Sequence, residues 1–270
     1  LTHITFQDRA MPDFTRDAAS IHYEIVGTGK PLMLIAGTAS DGASWGPLLT
    51  RLPGRQLILI DNRGSGRTKV EGPLSHADMV EDCAALIDHL KLGSVDVVGH
   101  SLGGFLGLFL AALHPDKVSR LVTMGSGLLD PKTKVLFEDL SRLYFTIAPG
   151  DFFRLLYQWL FSTPFFANPE TLAAAARAST DYVHRQSPGD FARQIAAMDR
   201  PLRVDFATIA CPVLAIAAEH DLLASPTSVA AAHAPIAEHA LTTIEDAAHS
   251  MHWEQPDAVA AAIVGFLEAK

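Results

Sequence analysis

With 270 residues, 49% of them hydrophobic, the chain has material for one large α/β domain with an insertion or for two small domains. A formal net charge of −9, with no run of Lys or Arg, argues against a nucleic-acid surface and a polybasic membrane anchor. The two cysteines, Cys83 and Cys211, stand in neither a C-x-x-C nor a Cys/His ligand spacing; they read as reduced packing thiols, not as a disulfide or a metal site.

In chain order, the opening Leu1-Thr2-His3-Ile4-Thr5 shows no basic stretch followed by an apolar one, and a cytoplasmic location is the expectation. Ile21–Val26 alternates like a half-exposed antiparallel strand and ends at the turn signal Gly27-Thr28-Gly29. Pro31–Ala36 and Gln56–Ile60 are continuous apolar runs of strand length, as central strands require. From Ser75 to Leu90 apolar residues recur at helical spacing, with Ser75 and Asp78 in capping-box order. Val95–Val98 is a β-branched strand, and Leu102–Ala112 an apolar helix packed on a sheet. Val118–Met124, Val213–Ala217 and Ala240–Ile244 supply three more strands, and a last helix runs from about Pro256 to Glu268 with proline in its first turn. Strands alternating with helices predict a mainly parallel sheet covered on both faces.

Between about Leu128 and Phe206 this alternation stops. Helical segments replace it and carry nine of the fourteen phenylalanines, with Tyr144, Tyr157, Tyr182 and Trp159. An insertion at this place predicts a helical cap, residues 128–206, over the carboxyl edge of a core formed by residues 1–127 and 207–270. Most of its aromatics are expected to hold the insertion together. Phe145, Trp159 and Phe166 are the trial pocket residues, chosen for size, and six arginines, Arg142, Arg154, Arg177, Arg185, Arg193 and Arg203, are possible carboxylate partners.

Gly99-His100-Ser101-Leu102-Gly103 joins the Val95–Val98 strand to the following helix. A serine on so sharp a turn takes strained dihedrals and projects its hydroxyl, and glycines on either side admit close backbone. Serine at neutral pH needs a base and a group to orient that base. The base candidates are His249 and His252, which lie together after the last strand; position alone admits either. Asp221, directly after the Val213–Ala217 strand, is the acid candidate, with Glu219 and Asp246 as alternatives and a turn-capping role as its plain structural reading.

These residues resemble the α/β-hydrolase superfamily from about Ile21 onward, with serine, acid and histidine in the family's order as Ser101, Asp221 and His249. Ala248-His249 followed by Glu254 and Pro256 fits the family's histidine segment, which His252 does not. Asp61-Asn62-Arg63-Gly64-Ser65-Gly66-Arg67-Thr68 resembles the family's D-x-R-G-x-G-x-S turn, a structural stretch. The resemblance implies an oxyanion hole from the backbone N–H groups of Leu102 and Thr38, although Ala36-Gly37 replaces the usual His-Gly. His252 joins the expected pocket. The likeness is to small cofactor-free members: enol-lactonases, carboxylesterases and non-haem haloperoxidases. It implies cleavage of an ester or lactone of a small, largely apolar substrate, with no cofactor or metal, by a monomer or homo-oligomer. Carbon–carbon bond hydrolysis and acyl transfer use the same triad, and a ligand-binding receptor on a hydrolase scaffold is the alternative of another class.

Overall fold

The apolar runs pair into one sheet. The computed structural model describes residues 9–10, 13–200 and 202–269. Its strands are β1 (Arg9–Ala10), β2 (Asp13–Arg16), β3 (Ala19–Val26), β4 (Lys30–Ile35), β5 (Arg55–Ile60), β6 (Val95–His100), β7 (Val118–Met124), β8 (Val213–Ala218) and β9 (His239–Ile244). Their order is β1-β3-β5-β4-β6-β7-β8-β9, with β2 paired to β3 beside this path. β3 runs antiparallel to β5, and from β5 to β9 every pair is parallel. The register aligns Ile35 with Gly99, His100 with Met124, Met124 with Ile216 and Ala218 with Ile244. The loops after β4, β6, β7, β8 and β9 therefore leave from one edge of the sheet.

Helices cover both faces, as parallel strands require, since neither face can be left to water. The short α1 (Gly46–Leu49) lies on one face; α2 (His76–His89) and α3 (Leu102–Leu113) pack on the other. Ser75 caps α2, its hydroxyl accepting from the Asp78 amide at 3.1 Å and donating to the Asp78 carboxylate at 2.7 Å. Leu106, Leu108 and Leu110 of α3 are fully buried, each such burial stabilising by about 1.5–3 kcal/mol. Cys83 is buried within α2, Cys211 is half-buried, and both are free thiols. β3 is more buried than its alternation suggests, because β1 and β2 both pair with it and Ala19, Ile21 and Tyr23 pack among Met79 and Cys83 of α2.

Five helices stand between β7 and β8: α4 (Pro131–Leu143), α5 (Pro149–Leu160), α6 (Thr163–Phe166), α7 (Pro169–Asp181) and α8 (Pro188–Ala197). Each has proline in its first turn, where the missing amide costs nothing. They form their own apolar cluster, with Tyr144 stacked on Phe152 at 3.7 Å between ring centroids and Phe191 edge-on to both. The fold closes with α9 (Pro226–His233), α10 (Met251–Glu254) and α11 (Pro256–Glu268). Among the described residues no helix is long and apolar enough to cross a membrane.

Candidate active site

Ser101 sits between the last residue of β6 and the first of α3 with φ 53° and ψ −117°. A left-handed φ at a non-glycine residue is strained and persists only where the surroundings enforce it. Here the Ser101 amide donates to the Met124 carbonyl at 2.8 Å, and Ser126 Oγ donates to the Ser101 carbonyl at 2.9 Å. The flanking glycines follow from crowding: a Cβ on Gly99 would lie 2.2 Å from the Gly103 carbonyl oxygen, and one on Gly103 1.9 Å from that of Ile35.

Asp221 leaves the end of β8 and meets His249, which follows β9: Nδ1 of the imidazole donates to Asp221 Oδ2 at 2.8 Å, with both side chains buried. The other carboxylate oxygen accepts from the amides of Leu223 and Ala224, each at 2.8 Å. Asp221 thus bonds both the His249 ring and the backbone of its own turn. Glu219 and Asp246 are exposed and turned to each other, the Asp246 amide donating to Glu219 Oε2 at 3.1 Å. Gly125 was not singled out in the sequence, yet its backbone has φ 59° and a Cβ there would come within 3.1 Å of His249 Nδ1 and 3.3 Å of Asp221 Oδ2. Only its place directly after β7 marks it.

Ser101 and His249 line one small cavity of about 50 Å³ with Thr38, His100 and His252. Among the described residues no hydrogen bond joins Ser101 Oγ to the His249 ring; the two side chains meet as walls of this cavity. His252 packs edge-on to His100 at 4.7 Å and tilted to Trp45 at 5.6 Å. Burial, then the neighbouring His249, drives the pKa of His252 down to about 3, so its ring stays neutral. His100 is also held well below the usual histidine range by burial, then by His252 and His249, and its Nε2 donates to the His249 carbonyl at 2.9 Å.

Thr38 follows β4 in a loop supported by Asn62, whose Nδ2 donates to the Ala36 carbonyl at 2.9 Å. A Cβ on Gly37 would lie 3.2 Å from His100 Nδ1 and from Ser101 Cβ, so glycine lets this loop close onto the serine. Leu102 is the first residue of α3, where an amide has no intrahelical acceptor and is free to donate to an anion. The turn from Asp61 is structural: Asp61 accepts from the amides of Gly42 and Arg67, both at 2.9 Å, while Arg63 pairs with Asp82 at 2.6 and 2.9 Å.

A second cavity of about 760 Å³ lies between this edge of the core and the inserted helices. Phe152, Phe153, Leu156, Tyr157, Leu160 and Phe165 supply its apolar wall, and Thr38, Ser250 and Trp253 line both cavities. The trial residues are elsewhere. Phe145 follows the end of α4 and is 62% exposed. Trp159 lies off the cavity face of α5, with Lys132 over its ring at 5.6 Å. Phe166 packs edge-on to Phe165 at 5.3 Å without lining either cavity. Size alone does not reveal which face of a helix a ring occupies. Of the six arginines, Arg185 lines the large cavity.

Known proteins share this architecture. A family model described as the alpha/beta hydrolase fold matches residues 30–256. A Caulobacter sp. (strain K31) protein named as a carbamate hydrolase, RutD, is 32% identical over 253 residues, covering 89% of this chain and 91% of that one. The structure of a Mycobacterium tuberculosis H37Rv protein named as a non-heme bromoperoxidase, BpoC, superposes with a TM-score of 0.81 at 27% identity, over 92% of this chain and 95% of that one. An enol-lactonase from Burkholderia xenovorans LB400 shares the fold with a TM-score of 0.83 at 23% identity, over 96% of this chain and all of that one, 100%. With the match spanning most of its length and relatives named for hydrolysis, the chain is a hydrolase of the α/β-hydrolase fold family.

Proposed function

We propose that the protein cleaves an ester or lactone bond of a small, largely apolar carboxylic substrate through an acyl-enzyme on Ser101. The observation that carries this reading is the His249–Asp221 hydrogen bond of 2.8 Å beside the cavity that Ser101 also lines. In this reading Ser101 Oγ attacks the carbonyl carbon while His249 Nε2 takes its proton, and the amides of Thr38 and Leu102 donate to the oxyanion. The tetrahedral intermediate collapses, the C–O bond breaks, and His249 returns the proton to the leaving alkoxide. Water then attacks the acyl-enzyme by the same path, releasing the carboxylic acid and restoring Ser101. Helices α4–α8 act as the cap, roofing the large cavity and excluding water from the acyl-enzyme.

A carbamate is the second reading, favoured by the name of the Caulobacter relative. Its carbonyl accepts the same attack. The apolar wall of the large cavity favours the ester, since a small carbamate has little surface to bury there.

The test is labelling by a p-nitrophenyl alkylphosphonate, with mass spectrometry locating the adduct, beside turnover of p-nitrophenyl esters, a carboxylated enol-lactone and a carbamate. An adduct on Ser101, and turnover lost by 10⁴-fold or so in Ser101→Ala, is the expected result. Retained activity in that variant, or a protein inert to both phosphonate and esters, overturns the reading and leaves a ligand-binding role.

A further inference from the structure

The loop bearing His249 is held at four points, two of which reach the inserted helices. Asp221 holds the ring and His100 the carbonyl. One residue earlier, the Ala248 amide donates to Glu254 Oε2 at 2.8 Å; one residue later, the Ser250 amide donates to the carbonyl of Leu160, the last residue of α5, also at 2.8 Å. The other Glu254 oxygen accepts from the amide of Ser162 at 3.0 Å and from its hydroxyl at 2.6 Å. A single carboxylate therefore bridges the α5–α6 joint to the flank of His249, and three donors satisfy its charge.

The same joint forms wall. Leu160, Phe161 and Ser162 line the large cavity, and Leu160, Ser250 and Trp253 line the small one as well. Whatever fills the large cavity packs on residues bonded to both sides of His249, Leu160 directly to Ser250 and Ser162 through the Glu254 carboxylate to Ala248. Packed interiors transmit such contact rather than absorb it, and a shift near 1 Å at a reacting group changes rate by about 10²-fold.

We propose that Ser162 and Glu254 are positioning residues that couple occupation of the large cavity to placement of His249. The remote apolar part of a substrate then raises kcat as well as tightening binding, which is binding energy directed to the transition state. The inference rests on the reading of His249 as the base. A merely structural role for these bonds lowers stability and leaves the dependence of kcat on chain length untouched.

The experiment compares kcat for p-nitrophenyl acetate and p-nitrophenyl octanoate in the native protein, Ser162→Ala and Ser162→Thr. In the native protein kcat for octanoate exceeds that for acetate by about 10-fold; Ser162→Ala reduces this ratio several-fold, and Ser162→Thr, which retains the hydroxyl, restores it. A ratio unchanged in Ser162→Ala overturns the proposal, as does a native ratio near one. If Ser162→Ala does not fold, Glu254→Gln, which keeps one acceptor oxygen, is read in the same way. A second readout needs no turnover: in ¹⁵N-histidine NMR, 1-octanol shifts the His249 imidazole signal in the native protein and much less in Ser162→Ala. Equal shifts in the two proteins, or none in either, also overturn the coupling. Failure of the acyl-enzyme reading is separately visible, as an octanol-dependent shift in a protein whose Ser101 takes no phosphonate.

Discussion

Asp221 divides its two oxygens between His249 and its own backbone: Oδ2 receives the imidazole Nδ1 at 2.8 Å while Oδ1 receives the Leu223 and Ala224 amides. The backbone bonds fix the carboxylate plane, and the carboxylate fixes the ring. The imidazole tautomer follows, with Nδ1 protonated and Nε2 left to accept a proton.

Asp221→Asn preserves the shape and the oxygen that accepts from the Leu223 and Ala224 amides but turns an amide N–H₂ toward Nδ1. The ring then keeps its proton on Nε2, where it cannot receive one from Ser101. Turnover should fall on the order of 10³–10⁴-fold with little change in melting temperature. Glu219→Gln, far less constrained at the surface, should keep nearly all activity. Steady-state kinetics with thermal melts check both, and the opposite ranking would assign the acid to Glu219.

His249→Ala should abolish nearly all turnover, whereas His252→Asn should cost far less and show itself in stability against pH. The folded pKa of His252 is pushed down to about 3 by burial and by His249, below the unfolded value near 6.5. Its neutral form is native, so stability is full above pH 6.5 and is lost as pH falls toward 3, because the unfolded chain binds the proton first. Between pH 7 and pH 5 the native protein should lose about 2 kcal/mol that His252→Asn does not lose. Urea unfolding at the two pH values measures this difference, and parallel curves would contradict a buried neutral His252.

At the junction of core and inserted helices, the Tyr182 hydroxyl donates to Asp41 Oδ2 at 2.8 Å. Burial first, then the nearby Asp61, raises the Asp41 pKa to about 6. Here the sign reverses: an acid with a raised folded pKa favours the native state below the unfolded value near 4 and loses that advantage as pH rises to 6. Asp41→Asn, which still accepts from Tyr182, should gain about 2 kcal/mol relative to the native protein between pH 4 and pH 7. Calorimetric or urea melts across that range provide the check; a constant offset between the two proteins would refute it.

Selectivity should follow the rings that line the large cavity. Phe165→Ala opens its wall and should change the ratio of kcat/KM between octanoyl and acetyl esters by about 10-fold. Phe145→Ala, at a side chain that is 62% exposed, should leave that ratio unaltered. An ester panel on both variants decides the matter, and equal effects would remove the large cavity from substrate choice.

Much of this arrangement is legible in the amino-acid sequence. The runs Pro31–Ala36 and Gln56–Ile60 supply strands β4 and β5, because unbroken apolar runs of that length can only be satisfied between two covered faces. Ser75 and Pro256 mark helix starts because a hydroxyl cap and a missing amide act locally. Ser101 was legible for the same reason: a strand, a tight turn and an apolar helix lie within twenty residues. What needed the tertiary structure were relations across long separations. Asp221 and Glu219 are two residues apart and chemically alike, and only the register of β8 beside β9 turns the first to His249. Phe145, Trp159 and Phe166 match Phe153 and Phe165 in size and setting, and only helix phase against the core decides which rings face the cavity. Glu254 spells nothing more than a landmark in sequence; its meeting with Ser162, 92 residues away, depends on where the inserted helices fold back. Local chemistry is written in neighbouring residues, while the direction of a side chain is set by packing between distant ones.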